Sequence, residues 1–398
     1  MEEDAYVLPC NAEPGLVEPS WLEWYLYAAG FSLVPREFTW WCGMAALSAC
    51  VANRVWYEKF KGERLTANLF TMLLGPSGVG KNQAIRRAVK RVESAPSGLA
   101  CANPYRGKMS AQGILTYLAK SKKQNFVWLV TPELAMQVGN GPKAEDFVTH
   151  MTEMLDSDQR FQDLTRTHGH HVVHSPCVNW TSGTNYDWLV RSIGRADILG
   201  GFFARIFPVP GERVGWRIPR PVFPDDYEAV NQWLEDYVEA LLQVEGEMTM
   251  TEAGAGLHTW WVNERVEPVD EALWPFYNHG DNLLIKLCMV FALADRRRLD
   301  IDYDHVSNAI ALYEWVYERL PDVMEYAYRT PDVEKLDLVA AYIKRSAAVE
   351  HAHLLRHASN RGVDRAGLDG LVKTLIERGD VRAERGETGR AYRWIGGE

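Results

Sequence analysis

Leu69-Phe70-Thr71-Met72-Leu73-Leu74-Gly75-Pro76-Ser77-Gly78-Val79-Gly80-Lys81-Asn82 decides the reading of this chain. The apolar run to Leu74 reads as a buried strand that breaks at Gly75, turns through a glycine-rich loop and enters a helix at Lys81. That strand–loop–helix order is the context a phosphate-binding P-loop requires. Gly75, Pro76, Ser77, Gly78, Val79 and Gly80 would turn backbone N–H groups inward around a triphosphate. Lys81 would reach its outer phosphates, and the helix N-terminus would add partial positive charge. The helix is amphipathic: Ala84, Ile85, Ala88, Val89 and Val92 share one face, with Arg86, Arg87, Lys90 and Arg91 mostly opposite. A Gly-Pro turn ahead of an unrelated helix is the plainer alternative. After Lys81 a P-loop usually carries Ser or Thr, whose hydroxyl ligates Mg²⁺. Asn82 stands there instead, and its amide oxygen also suits a hard cation. Asn82 is therefore the candidate metal ligand, with ATP and Mg²⁺ the expected cofactors. The pattern speaks for nucleotide binding more directly than for fast hydrolysis.

Composition bounds what surrounds this element. At 398 residues the chain is long enough for two or three domains. A net charge of −10 excludes a basic coat for nucleic acid, so any such contact must be local. Cys10, Cys42, Cys50, Cys101, Cys177 and Cys288 have no C-x-x-C spacing, which argues against a disulfide framework or a zinc site. The acidic start Met1-Glu2-Glu3-Asp4 lacks the basic n-region of a signal peptide, so the expected location is cytoplasmic. The most apolar stretch, Thr39–Ala52, is short and reads as a buried helix rather than a membrane span.

Residues 1–68 read as mostly helical, with Trp21, Trp24, Tyr25, Tyr27, Trp40, Trp41 and Trp56 as core aromatics or a base-stacking platform. Residues 69–224 alternate apolar runs with helical patterns, as a parallel α/β sheet does, until Pro208, Pro210, Pro219, Pro221 and Pro224 punctuate the chain. Residues 225–330 read as mainly helical. Residues 334–398 show three amphipathic helices, over Leu336–Ile343, Val349–Ala358 and Arg365–Arg378, then two short strands around the turn Glu384–Arg390. Three helices and a hairpin make a winged helix. This tail carries 12 basic and 10 acidic residues, against 31 basic and 43 acidic elsewhere, which favours a nucleic-acid role for it. Arg365, Lys373, Arg385 and Arg390 are its candidate contacts; a protein-docking role is the alternative. The fold class is thus α/β, a P-loop NTPase core of AAA+ or RecA-like type with helical flanks and a C-terminal winged helix.

A P-loop needs an acid to orient water and a sensor for the γ-phosphate. The strand Phe126–Val130 ends in Thr131-Pro132-Glu133, the place of a Walker B carboxylate, and Glu133 is assigned to activating water. A helix-terminal Glu favoured by the dipole would leave the same trace. A third strand, Val178-Asn179-Trp180, leads to Thr181-Ser182-Gly183-Thr184-Asn185, where Asn185 is the candidate sensor and an ordinary turn the alternative. Arg205 stands alone in Gly201-Phe202-Phe203-Ala204-Arg205-Ile206-Phe207 and is the candidate arginine finger, or one half of a structural ion pair.

Taken with Pro35-Arg36-Glu37-Phe38 and Asn282-Leu283-Leu284-Ile285-Lys286, these motifs resemble a family of phage- and plasmid-encoded P-loop ATPases often found beside primases. Their order is also similar to that of superfamily 3 helicases in the AAA+ class. The resemblance covers roughly residues 30–320. It implies a ring-forming, DNA-stimulated ATPase, hexameric, acting in phage or plasmid replication within the host cytoplasm. It also implies a DNA-driving hairpin ahead of the sensor strand. Residues 164–174 occupy that slot, with Arg166, His168 and His170 as candidate phosphate contacts and a plain surface hairpin as the alternative. The expected function is an ATP-dependent helicase or translocase. The alternatives are an ATP-binding loader or adaptor for a partner such as a primase, and a DNA-binding regulator.

Overall fold

The computed structural model describes residues 19–30, 33–120, 125–138, 142–155, 160–165, 169–192, 201–214, 223–328, 331–346, 348–386 and 389–396. The chain divides at residues 327/328 into two compact units.

The core of the first unit is a five-stranded sheet with every pairing parallel. Its strands are β3 (Phe70–Leu74), β4 (Pro104–Arg106), β5 (Phe126–Thr131), β8 (Cys177–Thr184) and β9 (Phe207–Pro210), in the order β4-β5-β8-β3-β9. β3, β5 and β8 are buried at every residue, as strands covered on both faces must be, which is why their sequences run apolar instead of alternating. Indole donors lock β5 to β8: Trp128 Nε1 donates to Thr181 Oγ1 at 2.9 Å, and Trp180 Nε1 to Thr131 Oγ1 at 2.6 Å.

Helices α2 (Arg36–Val51) and α3 (Lys81–Ser94) cover this sheet, and α1 (Trp21–Ala29) packs on α2. Ser20 and Glu23 close a capping box at the start of α1. α2 is buried from Phe38 to Val51, so its all-round apolar sequence is a core helix. Among the described residues no helix is long and apolar enough to cross a membrane. Short helices α4 (Gly98–Ala102), α5 (Ala111–Lys120), α6 (Leu134–Val138), α7 (Pro142–Leu155) and α8 (Tyr186–Ser192) join the strands.

The flanking segments depart from the helical reading. β1 (Val55–Phe60) and β2 (Glu63–Thr66) form a hairpin within residues 1–68, and β10 (Gly246–Met250) and β11 (Asp300–Ile301) lie within 225–330. The four make a second sheet in the order β11-β10-β1-β2, with β1 parallel to β10. These strands are short and half-exposed, so their pairing is set by distant partners and leaves little local pattern. Around them lie α9 (Tyr227–Leu241), α10 (Glu252–Glu264), α11 (Trp274–Ala294), α12 (Tyr303–Tyr317) and α13 (Leu320–Tyr328). β6 (Arg160–Thr165) and β7 (Gly169–His174) form a regular antiparallel hairpin.

The second unit holds α14 (Pro331–Lys344), β12 (Val349–Glu350), α15 (His351–Ser359), α16 (Arg365–Glu377), β13 (Val381–Arg385) and β14 (Arg390–Trp394). β14 is the middle strand, antiparallel to both neighbours. Val349 and Glu350, expected in a helix, pair with Tyr392 and Ala391 instead. Val339, Ile343, Leu354, Leu368, Val372, Leu375 and Tyr392 form its core.

Candidate active site

The loop between β3 and α3 opens at the C-terminal edge of the parallel sheet. Pro76, Ser77 and Gly78 are exposed there, while Val79 is buried and anchors the loop. Gly80 carries φ 103° at the N-cap of α3 and lies against Val34, a conformation a side chain would strain. Lys81 is 8% exposed, and its Nζ donates to the carbonyls of Gly75 at 2.5 Å and Pro76 at 2.9 Å. Burial lowers its pKa, and the charge of Glu133 opposes that shift. Asn82 is exposed in the first turn of α3.

Glu133 lies two residues past β5, exposed at the start of α6, where its carbonyl accepts from Met136 N. The register explains why it comes to Lys81. Leu74 pairs with Thr184 and Ser182 with Thr131, so the ends of β3, β8 and β5 stand side by side. Gly183 sits between them: a Cβ there would lie 2.9 Å from the Pro132 carbonyl oxygen and 3.4 Å from Lys81 Cβ.

Asn185 ends the same edge, but its Oδ1 accepts from Trp188 N at 2.8 Å and so caps α8. The candidate sensor thus has its carboxamide oxygen engaged in helix capping. Arg205 closes a 3-10 turn, Phe203–Arg205, and donates from Nη1 to the Gly201 carbonyl at 2.5 Å, which ties it to its own loop.

One arginine overlooked in the sequence reaches the P-loop: Arg213 Nη2 donates to the Ser77 carbonyl at 2.9 Å. Its signal was positional. β9 runs parallel to β3 with Leu74 opposite Pro210, so the residues after β9 emerge beside those after β3, and Gly211 N donates to Leu74 O at 2.9 Å. Pro35-Arg36-Glu37-Phe38 frames the same corner: Phe38 and Glu37 Oε1 both face Gly211. Burial raises the Glu37 carboxyl, against a backbone hydrogen bond and the charge of Arg319.

The Asn282–Lys286 motif lies elsewhere and is structural. Lys286, 4% exposed, donates to Asn68 Oδ1 at 2.8 Å, which holds α11 to the segment entering β3. Asn282 accepts from Lys59 at 2.6 Å, and Asp281 holds both Lys59 at 2.5 Å and His258 at 2.7 Å. Burial favours the protonated Asp281 carboxyl, but the bonds and charges of His258 and Lys59 outweigh it and hold the pKa at about 2.

Of the candidate nucleic-acid contacts, Arg166 and His168 lie outside the described residues. The backbone of His170 is placed in β7 opposite Leu164. In the second unit Arg365 begins α16, and Arg385 and Arg390 face each other across the β13–β14 pair. All three are exposed and without ion-pair partners among the described residues. Lys373 pairs with Glu377 at 3.6 Å.

No protein-family model matches the chain, and no curated protein matches it. Among solved structures the chain is similar to a full-length MCM homolog from Methanopyrus kandleri, at 15% identity and a TM-score of 0.43. The match covers 76% of this chain and 63% of that one, so it spans less than two thirds of the other protein.

Proposed function

We propose that the chain is an ATPase that binds ATP in the Gly75–Lys81 loop and uses the hydrolysis to act on DNA as a helicase or translocase. The observation that carries this reading is the convergence of Lys81 and Glu133 past the ends of β3 and β5, the two strands that flank β8 in the parallel sheet, with the Glu133 charge acting on the Lys81 ammonium. In this reading the loop's backbone amides and Lys81 hold the β- and γ-phosphates. Glu133 orients the attacking water, and Arg213 supplies a second cation at the loop's open side. Asn82 is exposed beside that loop, and the donor chemistry of its amide oxygen fits a hard cation such as Mg²⁺, which would neutralise phosphate charge there.

The β6–β7 hairpin, inserted just before β8, supports a role in gripping a strand; His170 belongs to β7, and Arg166 and His168 fall in the sequence between the two strands. The exposed cations Arg365, Arg385 and Arg390 support DNA binding by the second unit as a winged helix. The setting is replication of a phage or mobile element, in a ring, most simply a hexamer, with Arg205 acting at a subunit boundary. A loader or adaptor with slow turnover is the second reading. It is favoured by Asn82 in place of a hydroxyl residue and by Pro132 where many such ATPases carry a second acid.

The test is a pair of variants. Lys81→Ala abolishes binding of a fluorescent ATP analogue. Glu133→Gln keeps that binding and loses hydrolysis, measured with and without single-stranded DNA alongside the particle mass. Unchanged analogue affinity in Lys81→Ala overturns the nucleotide site, and wild-type turnover in Glu133→Gln places the base elsewhere.

A further inference from the structure

A cavity of about 360 Å³ opens between α1, the outer face of α3 and α9, away from the P-loop end of α3. Its walls carry three cations, Arg87, Lys90 and Arg91, and three aromatic rings, Tyr25, Phe223 and Tyr227. The acids in it are Glu228 and Glu235.

The charges are not evenly matched. Arg91 is committed to α9: Nη1 donates to the Asn231 carbonyl at 3.2 Å and to Glu235 Oε1 at 3.3 Å, and Nη2 bonds Asn231 Oδ1. Arg87 donates to a neutral acceptor, the Ala29 carbonyl, at 3.3 Å. Lys90 is exposed and has no partner among the described residues. Arg87 and Lys90 therefore face Glu228 with one positive charge in excess.

Tyr25 adds an observation of a different kind. It is 3% exposed, it stacks on Trp21 at 4.9 Å, and its buried hydroxyl has no hydrogen-bond partner among the described residues. Burial pushes the phenol well above its usual pKa, so it is a neutral donor, and the charges of Arg91 and Arg87 act on it. A buried hydroxyl left unsatisfied is a standing cost, which an acceptor arriving in the cavity would recover. On the other wall Phe223, 46% exposed, lies 4.4 Å from the Tyr227 ring and offers a flat apolar surface.

We infer that this cavity is a second nucleotide-class site, in which a phosphate meets Lys90, Arg87 and the Tyr25 hydroxyl while an aromatic base lies against Phe223. It is not an extension of the P-loop, because Lys90 is nine residues beyond Lys81 on one helix, about 13 Å along its axis. The same base-plus-phosphate chemistry is offered by a free mononucleotide and by one unit of a single strand.

The test uses full-length protein carrying Lys81→Ala, so that the P-loop contributes little, and a fluorescent AMP analogue as probe. Saturable binding of one probe per chain is expected. Tyr25→Phe, which removes only the hydroxyl, should weaken it about tenfold, the worth of a hydrogen bond to a charged group. Lys90→Ala, an exposed position, should weaken it by roughly as much. Unlabelled AMP should displace the probe, and failure to do so overturns the inference; displacement by oligo-dT at lower concentration than AMP identifies a strand as the natural occupant, and no displacement by oligo-dT identifies a free nucleotide. Absence of saturable binding, or equal affinity in both variants with melting temperatures unchanged, overturns the inference. That outcome is separate from a failure of the P-loop reading, which shows in ATP-analogue binding by protein with Lys81 intact.

Discussion

Gly183→Ala tests whether the edge of the parallel sheet is the reacting centre. The added methyl would stand 2.9 Å from the Pro132 carbonyl oxygen, where a carbon–oxygen contact settles at ~3.3 Å. The obstacle is backbone, so the relief must come from moving the Pro132–Glu133 turn by roughly 0.4 Å. Lys81 moves less, since its Cβ would be 3.4 Å away and its Cδ 3.5 Å, close to ordinary contact. Overpacking of this size costs about 1–3 kcal/mol of stability. A misplacement of about 1 Å can cost a hundredfold in rate, so a shift of this size should slow hydrolysis by roughly five- to tenfold. Affinity for the ATP analogue should change by less than about threefold, because the carboxylate contributes little to ground-state binding. The assay is steady-state ATP hydrolysis at saturating nucleotide, with analogue titration and a thermal melt on the same sample. A lowered melting temperature with kcat within twofold of wild type would refute the idea that Glu133 depends on this turn for its chemistry.

Three further outcomes are expected. Arg213→Ala should leave the melting temperature within a degree or two, since the residue is exposed, yet weaken ATP-analogue binding; unchanged affinity removes Arg213 from the site. Arg365→Ala, Arg385→Ala and Arg390→Ala combined should flatten the salt dependence of DNA binding by about 0.7–0.9 units of slope per lost phosphate contact, and an unaltered slope would leave this unit as a protein-docking module. Asp281, held at about 2, stabilises the fold above the ordinary carboxylate range and loses that contribution as pH falls toward 2. Asp281→Asn should therefore cost about 2 kcal/mol near neutral pH, and the gap to wild type in denaturant melts should close between about pH 4 and pH 2; a pH-independent gap would mean the ion cluster is not its source.

The elements legible in advance share one property: their signal is local. The P-loop strand and helix were legible because an apolar run, a glycine turn and a 3.6-residue stripe are contiguous in sequence, and the same holds for β5, β8, the β6–β7 hairpin and α16. Glu133 stood out as a candidate because it comes two residues after a buried strand. Asn185 shows the limit of that logic. Polar residues at a strand end serve equally as sensors and as caps, and only the helix that follows assigned its oxygen to Trp188 N.

What the tertiary structure alone decided depends on pairings between distant segments. β1 meets β10 across nearly two hundred residues, so two stretches that read as helical became one sheet. Arg213 reaches Ser77 because β9 lies beside β3, an adjacency no window of sequence contains. The cavity behind α3 exists because α1 and α9 both pack near its basic face, leaving the Tyr25 hydroxyl buried with no hydrogen-bond partner among the described residues. Sequence determines which residues want to be buried and how each segment repeats. Which neighbours they find is set by strand order and helix packing, whose energies are sums over contacts far apart in the chain.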